Sequence, residues 1–215
     1  MENKNSKEKI AYSWSKLYET RKVIRENYPD FWRIKVVKKP ADVIKTYMKE
    51  GDTVLDVGSY NRGLYNKLKN YFKNFTYKSM DVDRDKKHDY YSFEEIKEKF
   101  DIVFLFEVIE HMELNQGVEL ISNINKVLKK GGKLILTTPN VYHPNRYWEC
   151  SHKVSYRYDE IGGILDFSGF NVIRINRIYN DSFFKRIFRL YFASILHRYL
   201  SVDFAKSILL VGEKR

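Results

Sequence analysis

The segment Thr53-Val-Leu-Asp-Val57, followed directly by Gly58, constrains the fold more than any other feature of the chain. Its apolar run predicts a short strand buried on both faces, as in a parallel sheet. A glycine after such a strand lets the backbone approach a ligand closely, and the helix predicted from about Leu64 to Phe72 presents free N–H groups at its start. We therefore expect a ligand site at this strand end.

Strands and helices alternate along the rest of the chain. The further predicted strands are Phe75 to Val82, Asp101 to Phe106, Lys133 to Thr137, Phe170 to Ile178 and Ser207 to Val211, with a weaker one near Tyr90. The further predicted helices are Ala41 to Lys49, Val118 to Leu128, Tyr158 to Asp166 and Phe183 to Leu200. This rhythm predicts an α/β fold with a doubly wound, mostly parallel sheet of seven strands, the last two forming a hairpin at its edge.

An acidic residue stands at the spacing that a nucleoside ligand requires. Asp81, in Ser79-Met-Asp-Val82, ends the second predicted strand. A carboxylate at about 20 residues beyond such a glycine turn accepts hydrogen bonds from ribose hydroxyls. Gly58 alone is compatible with a mere tight connection. Together the two residues indicate a nucleoside-containing cofactor.

Three longer blocks make the pattern more specific: Phe100 to His111, Leu128 to Asn140 and Gly169-Phe-Asn-Val172. With Val54-Leu-Asp-Val-Gly58 and Asp81, they resemble the class I S-adenosylmethionine-dependent methyltransferases, roughly over residues 40 to 215. The resemblance implies a Rossmann-like fold and S-adenosyl-L-methionine as the cofactor.

The resemblance also implies roles for individual residues. The cofactor-binding residues would be Asp56, Val57, Gly58, Ser59, Asp81, Val82, Asp89, Tyr90 and Glu107. Asp56 and Gly58 would border the methionine moiety, and Asp81 would bind the ribose hydroxyls. Asp89 and Tyr90 stand where the family contacts adenine.

The glycine turn departs from the family pattern. The family's glycine-x-glycine-x-glycine reads Gly58-Ser-Tyr-Asn-Arg-Gly63 here, so Tyr60 and Arg62 occupy the later glycine positions. Tyr60 is expected to require a reshaped loop. The alternative is a site that no longer binds the cofactor.

Two carboxylates and a histidine follow the predicted strand Asp101 to Phe106. Glu107 and Glu110 are three residues apart, so a helical turn places them on one face, and His111 is adjacent. Ligands bind at such strand ends in doubly wound sheets, and oxygen-rich ligation favours Mg²⁺ or Mn²⁺. With His152 as a fourth ligand, the set resembles that of the ubiquinone-pathway O-methyltransferases and the small-RNA 2′-O-methyltransferases. The alternative is a pocket-lining glutamate without metal. His111 and His152 are also the candidate catalytic bases.

Three functions remain open. The first is O-methylation of a small molecule or glycan, the second is metal-assisted 2′-O-methylation of RNA, and the third is a non-catalytic methyltransferase fold that binds a partner. The net charge of +11 favours anionic partners, nucleic acid among them, without identifying one. The single cysteine and the lack of an apolar run of about 18 residues favour the cytoplasm. The oligomeric state is left open.

We expect one methyltransferase domain over residues 1–215, because this length suits a single α/β core. It would comprise an N-terminal helical extension (1–39), a cofactor-binding core (40–181) and an aromatic basic helix with the last strand (182–215). In residues 183–200, aromatic and aliphatic side chains recur every three or four positions among basic ones. This helix is expected to pack on the sheet edge, to cover the substrate or contact a second copy, or to make peripheral contact with a membrane.

Overall fold

The computed structural model describes residues 13–145, 149–192 and 194–215, and these contain the predicted seven-stranded α/β sheet. The strands are β1 (Val36–Val37), β2 (Thr53–Val57), β3 (Thr76–Met80), β4 (Phe100–Phe106), β5 (Leu128–Pro139), β6 (Phe170–Ile178) and β7 (Ser207–Lys214). The α-helices are α1 (Trp14–Asn27), α2 (Ala41–Tyr47), α3 (Gly63–Lys69), α4 (Leu114–Val127), α5 (Tyr158–Phe167), α6 (Phe183–Ile187) and α7 (Ser194–Leu200).

The strand order is β1-β6-β7-β5-β4-β2-β3. Strands β2, β3, β4 and β5 run parallel, and β7 lies antiparallel between β5 and β6. Consequently Val57, Met80, Phe106 and Pro139 end neighbouring parallel strands at one edge of the sheet. This edge is the one where ligands bind in doubly wound folds.

Apolar layers cover both faces of the sheet. Helices α1, α4 and α5 pack on one face, through buried residues such as Ile24, Ile121 and Ile164. Helices α2 and α3 cover the other face, with Ile44 and Leu68 buried. The strands are thus buried on both sides, which explains why they read as continuous apolar runs rather than alternating ones.

Two edge elements differ from the sequence prediction. The segment near Tyr90 forms a single bridge to Met80 rather than a strand, while the unpredicted two-residue strand β1 pairs with β6 at the other edge. The count of seven is therefore right, although one member is different. Two valines are too short a run to give a strand signal, and they pair because β6 offers a free edge.

The predicted helix over 183–200 is interrupted. It consists of α6, a π-helical segment at Phe188–Phe192, and α7. Residues 1–12, the first part of the predicted N-terminal helical extension, lie outside the described part of the chain. Within the described part, none of the helices combines the length and the apolar character needed to cross a bilayer.

Candidate functional site

The turn after β2 keeps a left-handed backbone at several positions. Gly58 has φ +72°, and a Cβ there would lie 2.4 Å from Cγ2 of Val108. Tyr60 and Arg62 also have positive φ, +46° and +58°. Both therefore adopt the conformation that glycine adopts most readily. The substitution of these two family glycines has not moved either residue out of the left-handed region.

The side chains of the same two residues are held by charged neighbours. Nζ of Lys86 lies 3.0 Å from the centroid of the Tyr60 ring, and the Arg62 guanidinium donates to Oδ2 of Asp89 at 3.1 Å. A left-handed non-glycine residue costs about 1–2 kcal/mol, so such contacts offset part of the strain.

Asp81 accepts hydrogen bonds from the turn and from its own strand end. Its Oδ2 accepts the Tyr60 N–H at 2.8 Å, and its Oδ1 accepts the Asp83 N–H at 3.1 Å. The side chain stays partly exposed. The carboxylate therefore fixes the turn while retaining free lone pairs for a ligand.

A cavity of about 300 Å³ opens beside this carboxylate. Its lining is mostly apolar and comprises Val57, Gly58, Met80, Asp81, Val82, Tyr91, Ser92, Phe93, Glu94, Val108, Met112 and Leu120. An apolar slot with a carboxylate at its mouth is suited to a flat ring system that carries hydroxyl groups.

Four of the predicted cofactor residues line the cavity, namely Val57, Gly58, Asp81 and Val82. Asp89 and Tyr90 do not. Oδ2 of Asp89 accepts the Ser79 N–H at 3.0 Å, and the Tyr90 hydroxyl donates to Glu98. The cavity instead uses the residues that follow them, Tyr91 to Glu94, which the sequence analysis missed. The sequence indicated these residues only indirectly, because they directly follow Asp89 and Tyr90.

Asp56 and Ser59 lie buried beside the cavity. Asp56 is 4% exposed and accepts the Tyr77 hydroxyl at 2.5 Å. Burial raises the pKa of Asp56 to about 6, against the hydrogen bond from Tyr77. Ser59 Oγ lies 3.1 Å from Nδ1 of His88, a buried histidine that the sequence analysis did not single out. These contacts hold the strand end and the turn in place.

Glu110, His111 and His152 converge at the end of β4. One ligand atom from each lies within 4.8 Å of the other two. Oε2 of Glu110 accepts the Thr138 hydroxyl at 3.2 Å, whereas its buried Oε1 has no hydrogen-bond partner among the described residues. Burial, and then the nearby charge of Glu107, raises the pKa of Glu110 to about 8.

Glu107 stands apart from this group of three. It has φ +53°, and its N–H donates to the Thr137 carbonyl at 3.0 Å. Desolvation by surrounding atoms raises the pKa of Glu107, although the residue is exposed, and the nearby side chains of Thr137 and Ser207 oppose this shift. Three of the four predicted metal ligands are thus brought together, whereas Glu107, directly after β4, interacts with Thr137 of β5.

Two further cavities flank the strand ends. One, of about 430 Å³, lies between α2 and α3 and reaches Phe106. The other, about 460 Å³, is the basic cavity, lined by Pro139, His143, Asn145, Asp181, Lys185, Arg189 and Lys206. Lys206 precedes Ser207, whose side chain lies near the Glu107 carboxylate, so the basic cavity adjoins Glu107.

The chain resembles known methyltransferases in sequence and structure. A family model described as a methyltransferase domain matches residues 26–175. No curated protein sequence matches the chain. Many solved structures do, among them an S-adenosylmethionine-dependent methyltransferase from Archaeoglobus fulgidus, with TM-score 0.65 and 16% identity, covering 94% of this chain and 100% of that one.

Two other similar structures contain the cofactor or its product. The N-methyltransferase NodS from Bradyrhizobium japonicum, in complex with S-adenosylhomocysteine, has TM-score 0.55 and 15% identity, with 81% and 85% of the two chains covered. The magnesium protoporphyrin IX methyltransferase from Synechocystis, with bound S-adenosylmethionine, has TM-score 0.53 and 15% identity, with 82% and 76% covered.

Proposed function

Because this chain belongs to the class I S-adenosylmethionine-dependent methyltransferases, we propose that it methylates an oxygen atom of a small molecule or glycan. The observation that carries the cofactor part is the 300 Å³ cavity with the Asp81 carboxylate at its mouth. The observation that carries the oxygen acceptor is the convergence of Glu110, His111 and His152 beside it.

The proposed cofactor pose follows from the lining of the cavity. Val82, which is 78% exposed, and Phe93 would hold the adenine ring. Asp81 would accept hydrogen bonds from the ribose hydroxyls, and Gly58, which has no side chain, would leave room for the methionine moiety. Asp56 accepts the Tyr77 hydroxyl and would hold the strand end beside the methionine moiety in place.

Methyl transfer from a sulfonium is an in-line displacement, so the protein mainly aligns donor and acceptor and excludes water. A hydroxyl acceptor must also lose its proton. If no cation is bound, His111 and His152, whose ring centroids are 4.8 Å apart, are the proposed bases. A histidine that ligates a metal has no free lone pair for a proton, so this role and the cation site described next are alternatives. Glu107 lies next along the strand ends and would accept a hydrogen bond from the acceptor.

We further propose that Glu110, His111 and His152 hold Mg²⁺ or Mn²⁺. The buried Oε1 of Glu110 supports this fit, because a carboxylate oxygen without a hydrogen-bond partner is costly unless a ligand reaches it. A bound divalent cation would lower the pKa of an acceptor hydroxyl. Glu107 is a fourth ligand only if its side chain turns away from Thr137 and Ser207.

The same cluster keeps RNA 2′-O-methylation as the second candidate. It also requires deprotonation of a hydroxyl, and the net charge of +11 suits an RNA backbone. Small-molecule acceptors have more support, because the similar Synechocystis enzyme is named for a small-molecule substrate. The similar N-methyltransferase from Bradyrhizobium makes nitrogen acceptors an outcome that the experiment must distinguish.

The test is a transfer assay with tritiated S-adenosylmethionine and cell extract split into metabolite, lipid, glycan and RNA fractions. We expect label in the metabolite or glycan fraction, released by reagents that cleave methyl ethers or esters. Label confined to RNA selects the second candidate, and label on nitrogen overturns the oxygen acceptor. A chain that binds S-adenosylhomocysteine but labels no fraction revives the partner-binding alternative.

We also propose that residues 1–215 act as one methyltransferase domain. The extension contributes to the core, because Leu17 and Ile24 of α1 are buried against α5. Cytoplasm remains the expected compartment, on the strength of the single cysteine, Cys150.

A further inference from the structure

The segment 183–200, here the aromatic arm, exposes an unusual amount of apolar surface. Nine of the sixteen large hydrophobic side chains that are exposed in the described chain belong to it. They are Phe183, Phe184, Phe188, Tyr191, Phe192, Ile195, Leu196, Tyr199 and Leu200. A patch of this kind marks an interaction surface. The arm is therefore not a helix packed on the sheet edge.

Positive charge accompanies these side chains. Lys185 is 58% exposed on its side chain, and Arg186 is partly exposed in the same turn. Arg189 and Lys206 line the adjoining basic cavity. Asp181, directly before the arm, pairs with Arg189 at 2.6 Å and lies 4.0 Å from Lys185. Asp203, the only acidic residue between positions 182 and 206, is buried against Arg177 at 3.1 Å. Asp181 offsets the charge of Arg189, whereas Lys185, Arg186 and Lys206 keep exposed positive charge beside the apolar groups.

The chemistry of the arm discriminates between the occupants of such a surface. A second copy of this chain would bring the same positive face, which favours repulsion. Nucleic acid matches the charge, but the aliphatic side chains of Ile195, Leu196 and Leu200 have no counterpart in a phosphate backbone. A bilayer with anionic lipids offers both a negative surface and an apolar boundary.

We propose that the aromatic arm docks this protein on the surface of an anionic membrane. The aromatic side chains enter the boundary between headgroups and acyl chains, and Lys185, Arg186 and Lys206 face lipid phosphates. The arm lies on the membrane without crossing it. The docking rests on exposure and charge alone, and it stands whether or not the acceptor is the one proposed above.

This orientation has a consequence for access. Pro139 ends β5 and lines the basic cavity, which adjoins Glu107. Docking through the arm would therefore bring the strand ends close to the headgroup surface, where an amphipathic molecule is held.

Flotation with vesicles tests the proposal. We expect the full chain at low salt to float with vesicles of equal parts phosphatidylglycerol and phosphatidylcholine, and to float less with pure phosphatidylcholine. Added salt should weaken binding, because it screens the exposed cations. Failure to bind the anionic vesicles at low salt overturns the proposal.

Matched variants locate the contact. Phe184→Ser with Phe192→Ser should lower the bound fraction on the order of tenfold, whereas Tyr18→Ser with Tyr71→Ser, also exposed aromatics, should leave it unchanged. The double variant Lys185→Glu with Arg186→Glu should likewise lower the bound fraction on the order of tenfold. The control Lys16→Glu with Lys22→Glu, on α1, should lower the bound fraction much less.

Equal losses in the arm and control pairs overturn the proposal. So does a wild-type dimer that the phenylalanine variant converts to a monomer, which makes the arm a self-interface. Calorimetric binding of S-adenosylhomocysteine shows that each variant is folded. Because flotation involves no methyl transfer, its failure leaves the proposed function intact.

Discussion

The backbone N–H of Tyr60 donates a 2.8 Å hydrogen bond to Oδ2 of Asp81, joining the turn after β2 to the end of β3. A tyrosine at φ +46° thus makes a contact that needs only its backbone, and its ring lies under Lys86. The loss of a family glycine is tolerated here because the backbone path and its carboxylate partner are retained.

Asp81→Ala should weaken S-adenosylhomocysteine binding by about 1–3 kcal/mol, because ribose hydroxyls and the Tyr60 N–H lose their acceptor. Asp81→Asn keeps an oxygen for Tyr60 and should lose less. Isothermal titration calorimetry measures both, with the exposed Asp85→Ala as the control. Wild-type affinity in Asp81→Ala would remove the ribose assignment.

The raised pKa of Asp56 predicts a pH-dependent stability. Burial raises the pKa of folded Asp56 to about 6 from its ordinary value of 3.8, so the folded state binds the proton more tightly between these values. Its contribution to the free energy of unfolding therefore falls as pH rises from about 4 to about 6, by at most about 3 kcal/mol.

Asp56→Asn should abolish this dependence, since the amide still accepts from Tyr77 and does not ionise. Urea unfolding of both proteins, measured about every half pH unit from about pH 4 to 7, gives their free energies of unfolding. The value for the variant minus that for the wild type should rise between about pH 4 and 6. Asp85→Asn is the control. A constant difference would show that Asp56 titrates normally.

The proposed cation site predicts sensitivity to chelators. Chelation should abolish methyl transfer, and Mg²⁺ or Mn²⁺ should restore it. Independently of activity, titration calorimetry should detect Mn²⁺ binding that releases a proton near neutral pH, because the pKa of Glu110 is raised to about 8 in the free site.

Glu110→Gln should remove most of this binding, whereas Glu113→Gln, whose side chain is 66% exposed, should not. Full activity after chelation, in protein free of metal by elemental analysis, would leave His111 and His152 as metal-independent bases.

A buried ion cluster fixes α1 to α5. The fully buried Asp159 carboxylate lies 3.2 Å from Arg21, 2.7 Å from Arg25 and 3.1 Å from Arg157. Asp159→Ala should lower the free energy of unfolding by about 3 kcal/mol, because arginine charges lose their partner. In Glu26→Ala, which breaks an exposed pair with Lys22, the loss should be below about 0.5 kcal/mol. Chemical denaturation compares them, and similar losses would contradict a structural role for the cluster.

Most of the fold could be predicted because buried parallel strands leave long apolar runs. The run Phe170 to Ile178 coincides with β6, and Gly58 and Asp81 occupy the expected strand ends. β1 could not be predicted, since two valines form a strand only where β6 provides an edge. The π-helical interruption at Phe188–Phe192 leaves no mark on the three-to-four-residue spacing.

The candidate site could be predicted less completely, for electrostatic reasons. Asp89 carries a carboxylate that could bind a ligand, but its oxygens already accept hydrogen bonds from Ser79, Lys78 and Arg62. Such competition depends on residues distant in sequence. The stretch from Tyr91 to Glu94 lines the cavity because it directly follows the bridge between Tyr90 and Met80. No local sequence pattern encodes that bridge.

The two ends of the aromatic arm lie close together, so the arm is an insertion between β6 and β7. The Lys206 N–H donates to the Ile178 carbonyl at 3.2 Å, and the Tyr179 hydroxyl donates to Asp203, so β6 and β7 meet where the arm begins and ends. A short turn in place of residues 182–201 would leave a conventional hairpin, with little loop-closure entropy at stake. Removal of the arm would therefore leave the sheet in place, and it would eliminate the proposed contact with a membrane.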